Sequence, residues 1–266
     1  MISKRFSILT PAMLLLTYTA APMRAQQSRP MPTPQVQAPT SAPATPKPAP
    51  AFYRNLIVLD PAHGGRDNGA QISGTTAEKD VTLAFAQKLR PALVAQGFTV
   101  VATRDSDPAD ELASDMRAGI ANHDRPLVCL LLHATGSGTG VHLVSSSLPQ
   151  ANEKSSARAL PWDRAQEPMV AMSTRLANEL GLALEDAHVP VLLLRGSVPP
   201  IDNLICPAVA VEISPLKGDS GKVVPVTDGA YQQRVINALA TAIASFRTHN
   251  APSPTQTSAG RAGATQ

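Results

Sequence analysis

The 266-residue sequence predicts an α/β fold, a single twisted, mostly parallel sheet with helices on both faces. Three observations predict it. Short apolar runs alternate with longer stretches whose apolar residues recur at three and four positions. Several of the short runs are apolar at consecutive positions, as suits strands covered on both sides. No internal repeat and no second core-forming block interrupts the pattern, so one domain accounts for it.

The elements follow in chain order. Residues 1–25, MISKRFSILTPAMLLLTYTAAPMRA, set Lys4 and Arg5 ahead of an apolar stretch and small residues near a plausible cut, the layout of a secretory signal peptide. Pro11 and Tyr18 interrupt that stretch, which is short for a membrane span, and an uncleaved N-terminal anchor is the competing reading. A Pro-rich linker, expected to be disordered, covers 26–51, with eight prolines between Gln26 and Pro50. The domain proper is expected over 52–248. Its strands read as NLIVLD (55–60), FTVVAT (98–103), LVCLLLH (127–133), GVHLVSS (140–146), VPVLLLR (189–195) and AVAVEI (208–213). Helices are expected near 79–96, 110–123, 167–181 and 229–247; in the first, Val81, Phe85, Leu89 and Leu93 form one stripe. A loop-like tail, also expected to be disordered, closes the chain over 249–266.

The net charge of +3 belongs to the leader. Lys4, Arg5 and Arg24 all lie in the first 25 residues, which hold no acid, and without them 20 basic residues face 20 acidic ones. That balance gives no support to nucleic-acid binding. Export leaves Cys129 and Cys206 with two readings, a disulfide or a pair of buried free thiols.

In open parallel sheets the ligand crevice lies beyond the carboxyl ends of the strands. His63 follows LIVLD, His133 follows LVCLLL and Glu212 follows AVAV, each a polar residue ending a run that would otherwise stay dry. Glu78 opens the helix EKDVTLAF. Two imidazoles and a carboxylate can hold Zn²⁺, with a further carboxylate as base. Gly64 and Gly65 permit the sharp turn that would face His63 into the crevice. Each residue also has a plainer role. Either histidine can serve as an ordinary hydrogen-bonding residue, Thr75 and Glu78 fit a capping box, and Glu212 can pair with Arg195 or Arg104. The separations of 15, 55 and 79 residues match no short metal motif.

The segments IVLDPAHGGRDNGA, EKDVTLAFAQKL, GFTVVATRDSD, RAGIAN, LLLHATGSGTGVHLV and CPAVAVEISPL, in this order from Leu56 to Leu216, resemble the zinc-dependent N-acetylmuramoyl-L-alanine amidases, the family 3 cell-wall hydrolases. The resemblance implies His63, Glu78 and His133 as Zn²⁺ ligands and Glu212 as the catalytic carboxylate. It implies peptidoglycan as substrate, cut at the amide joining the lactyl group of N-acetylmuramic acid to L-alanine. With the leader, it implies a periplasmic or secreted enzyme that meets a membrane only through an uncleaved signal segment. An activator or localising protein is left unidentified. A catalytically silent peptidoglycan-binding module and a zinc peptidase acting within the stem peptide are the competing functions.

Arg104 and Asp105, with Arg117 and Asn122, match the family as positioning residues. Asp60 either orients His63 or caps its turn, and Trp162 either packs or lies on a sugar face. The departures from the family pattern are Ala62, Thr135 and the EISPL ending, positions expected to line the cleft floor. Some members carry a plugging helix; here Ser146 to Pro168 is short for one, leaving Glu153 or Glu167 as residues that would reach the metal.

Overall fold

The computed structural model describes residues 53–151, 159–218 and 221–251. In chain order the strands are β1 (Tyr53–Pro61), β2 (Gln71–Ser73), β3 (Thr76–Ala77), β4 (Thr99–Ala102), β5 (Pro126–Ala134), β6 (Val141–Ser146), β7 (Val191–Gly196), β8 (Ala208–Ile213), β9 (Leu216–Lys217) and β10 (Val223–Val224). The helices are α1 (Glu78–Ala95), α2 (Ser114–His123), α3 (Val170–Asp186) and α4 (Gly229–His249). All six expected strands join one sheet in the order β4-β1-β5-β8-β6-β7, and β2–β3 and β9–β10 are small antiparallel ribbons.

Every neighbouring pair in the sheet is parallel except β6 with β8. The reversal has a simple cause. Only residues 135–140 separate β5 from β6, too few for the crossover that a parallel partner requires. The connection from β6 to β7 contains α3, and that pair is parallel.

Alternation along the central strands feeds two cores. Ile57, Leu59, Leu130 and Leu132 face the larger one, built with Phe85 and Leu89 of α1, Leu176 and Leu180 of α3, and Leu239 and Phe246 of α4. Val58, Leu131 and Ala210 face the smaller, closed by Ala118 and Ala121 of α2 with Ile201 and Leu204. Helices therefore cover both faces, as the sequence predicts. Cys129 and Cys206 are disulfide-bonded within the smaller core, which decides between the two readings of these cysteines.

Three expectations are corrected. The second helix begins at Ser114 rather than 110. The third opens with a 3-10 turn at Glu167–Met169 before α3 runs on to Asp186. The VLLLR run is not buried, since Leu192, Leu193 and Leu194 are between 42% and 49% exposed on β7, an edge strand with only β6 beside it. The signal, the linker and residues 252–266 of the tail lie outside the described residues; α4 itself continues to His249. No helix among the described residues is long and apolar enough to cross a membrane.

Candidate metal centre

β5 is buried along its length except at His133, and β8 except at Glu212; both side chains are half-buried. The two residues are register partners on adjacent parallel strands, so their side chains leave the same face of the sheet. His63 arrives by a different route. Pro61 of β1 pairs with Leu132, and the Ala62 amide donates to the Leu132 carbonyl. One more extended residue would send His63 to the opposite face. Instead His63 itself adopts φ 65°, a left-handed conformation rare outside glycine, and Gly64 and Gly65 follow at 130° and 61°. The sequence assigns the pivot to the glycines; the histidine shares it.

The carbonyls of this turn are gripped by two buried arginines. Arg104 donates from Nε to the Pro61 carbonyl and from Nη2 to those of Ala62 and Lys79, and Arg117 Nη2 donates to Pro61 and His63. Burial and the adjacent Arg117 guanidinium both pull the Arg104 pKa down. Asp60 neither orients His63 nor caps its turn. It accepts from Thr103 Oγ1 at 2.6 Å and pairs with Arg117 Nε at 3.2 Å, offsetting part of that buried positive charge. Asn122 ties α2 to the chain before β8, donating to the Asn203 carbonyl and accepting from the Ile205 amide. Asp105 pairs with Arg90.

Glu78 sits at the centre. Its Oε2 lies 3.0 Å from His63 Nε2 and its Oε1 3.0 Å from His133 Nδ1, while the Ala70 and Ala134 amides donate to the two oxygens at 2.9 and 3.2 Å. The capping-box reading is overturned, because Ala77 occupies the N-cap of α1 without a side-chain cap and the Glu78 carboxylate turns to the histidines. Burial alone would raise the Glu78 pKa, but hydrogen bonds from His133, His63 and the Ala70 amide hold it well below the usual carboxylate range. The carboxylate stays charged and ready to bind a cation. Asp67, absent from the sequence reading, sits 2.6 Å from His63 Nδ1 and leaves Nε2 toward Glu78. The hydrogen bond to Glu78 raises the His63 pKa against the opposing effect of burial, and Asp67 adds to the rise.

One ligand atom from each of His63, Glu78 and His133 fits within 4.8 Å of the others. Two imidazole nitrogens and a carboxylate oxygen are a recurring donor set for catalytic zinc, leaving a fourth position open. His133 turns Nδ1 into the cluster, and its Nε2 is buried without a protein partner among the described residues. The residues fit the metal.

Glu212 lies beside this cluster, and its partner is neither Arg195 nor Arg104. Its Oε1 is 2.8 Å from Nδ1 of His142 on β6. Arg195 instead donates to the carbonyls of Ser146 and Leu148. The sequence held a signal for His142 in GVHLVSS, a polar residue within a strand pattern, though nothing said which carboxylate it would meet. Ala62 and Ser214, expected on the cleft floor, are fully buried and pack inward; Thr135 alone of the named departures is half-exposed. Glu167 is buried against Arg164 and takes no part in the cluster, and Glu153 lies outside the described residues. Trp162 is 51% exposed rather than packed.

A profile of the family described as N-acetylmuramoyl-L-alanine amidase matches residues 57–245. An N-acetylmuramoyl-L-alanine amidase of Mycobacterium tuberculosis is 27% identical over 78% of this chain and 91% of its own length. The amidase AmiC of Neisseria meningitidis serogroup B is 35% identical over 35% of this chain, a match spanning 23% of that longer protein. Among solved structures, the N-acetylmuramyl-L-alanine amidase Ami1 of Mycobacterium smegmatis superposes with a TM-score of 0.55 at 22% identity, covering 73% of this chain and 97% of that one.

Proposed function

Because the chain belongs to the N-acetylmuramoyl-L-alanine amidase family, we propose that it is a zinc-dependent hydrolase of the amide between N-acetylmuramic acid and L-alanine in peptidoglycan. The observation that carries the reading is the convergence of His63, Glu78 and His133 within 4.8 Å, with Glu212 in register beside His133.

In this reading His63, Glu78 and His133 hold Zn²⁺, and the bound ion supplies Lewis acidity for opening the amide. Asp67 keeps the His63 ring oriented through Nδ1. Glu212 is the general base. It takes a proton from the attacking water, whose oxygen bonds to the lactyl carbonyl carbon, and delivers that proton to the nitrogen of L-alanine, so that the C–N bond breaks, the amine departs and the lactyl group stays on the sugar as a carboxylate. Neither a serine nor a cysteine nucleophile is needed, and both cysteines are held in the disulfide. That disulfide also supports action in an oxidising compartment, periplasmic or extracellular.

The test is the purified full chain on labelled sacculi, with products identified by mass spectrometry and zinc content measured. Wild-type protein is expected to carry zinc, to release stem peptides with free L-alanine amino ends and to leave lactyl carboxylates on the glycan. Glu212→Ala should keep its zinc and lose about 10²- to 10⁴-fold in rate. Cleavage within the stem would identify a peptidase, and zinc binding without release would identify a wall-binding module.

A further inference from the structure

We propose that His142 is a positioning residue for Glu212, holding its carboxylate by one oxygen so that the other is free to accept the proton of the attacking water. The inference rests on the amidase reading and adds to it a residue outside the metal ligands.

His133, Glu212 and His142 form one row across three adjacent strands. Glu212 is the register partner of His133 on one side and of His142 on the other. The row leaves one face of the sheet, and all three side chains are half-buried. A glutamate with its side chain 38% exposed has three soft torsions and, alone, would sample several rotamers. His142 removes that freedom, since its Nδ1 lies 2.8 Å from Glu212 Oε1. No hydrogen bond among the described residues uses Oε2.

The strand register that places the histidine is itself held. The strand pair is pinned two residues away, where the Ser214 amide donates to the Gly140 carbonyl at 2.8 Å. Tyr231 of α4 then donates its hydroxyl to the carbonyls of both Gly140 and Ser214. The register that sets His142 opposite Glu212 is thus fixed both by the strand backbone and by Tyr231.

The role separates from packing by three measurements on the full, zinc-loaded chain. His142→Ala is expected to lose about ten- to a hundredfold in kcat with KM and zinc content unchanged. His142→Asn, whose side-chain amide can donate from about the position of Nδ1, should recover part of that loss. In ¹⁵N-edited spectra, the His142 Nδ1 signal should shift on Glu212→Gln. Wild-type kcat in His142→Ala would overturn the proposal. So would an equal loss in Ala and Asn variants together with a His142 Nδ1 signal indifferent to Glu212→Gln, because packing alone would then explain the loss. Failure of the parent reading looks different: wild-type protein exposes no lactyl ends on the glycan, and the positioning role falls with it.

Discussion

His63 shows how narrowly the cluster is built. Its left-handed backbone is tolerated because Arg104 and Arg117 hold the carbonyls on either side of the turn, and its ring is packed against a glycine. A Cβ on Gly69 would come within 2.5 Å of His63 Cδ2 and 2.7 Å of Glu78 Oε2, at a φ of 65° that also disfavours a side chain. Gly69→Ala is therefore expected to displace both ligands. Zinc affinity, measured by competition with a chromogenic chelator, should fall by about tenfold or more, while far-ultraviolet circular dichroism stays that of the wild type. His63, Glu78, His133 and Glu212 were all legible as polar residues at strand ends and at a helix start. Asp67 and His142 were not, because which side chain meets which depends on a backbone reversal and a cross-strand register that residue type does not encode.

Tyr231 links elements that the chain keeps far apart. Fully buried on α4, it donates to the carbonyl just before β6 and to the one just after β8. Tyr231→Phe leaves those acceptors without the hydroxyl and should cost about 1–3 kcal/mol in denaturant unfolding. Burial pushes the phenol well above its ordinary value of 10.0, against the opposing pull of Arg234. The stabilisation tied to this shift is complete below the unfolded value and drains as pH rises from there through the higher folded value. Wild-type melting temperature should thus fall more steeply than that of Tyr231→Phe between about pH 9.5 and 11.5.

The molecule as a whole depends on the sheet keeping its strand order, because β1, β5, β8 and β6 each bring part of the site to one edge. The Cys129–Cys206 disulfide spans 77 residues and ties the middle of β5 to the approach of β8, the two strands that carry His133 and Glu212. Replacing both cysteines with alanine should lower unfolding free energy by about 2–4 kcal/mol, read by chemical denaturation with and without reductant. Reductant should lower the wild type toward the double variant and leave the variant unmoved. Bound zinc is expected to act on the same scale. A ligand that binds only the folded chain stabilises it by about 2.7 kcal/mol at a hundred times its Kd, so chelation should lower the melting temperature of wild-type protein and leave a His133→Ala variant unchanged.

Periodicity and residue type, which act over a few neighbours, were enough to place six strands, four helices to within a few residues, and the strand-end and helix-start positions of His63, Glu78, His133 and Glu212, since burial imposes period two or 3.6 wherever it occurs. The short link from β5 to β6 even contained the reversal of β6. Lateral order, the exposure of β7, the disulfide and the partners of His63 and Glu212 came only with the folded chain. Each of these is a contact between segments distant in sequence, and its energy exists only once the sheet has aligned them.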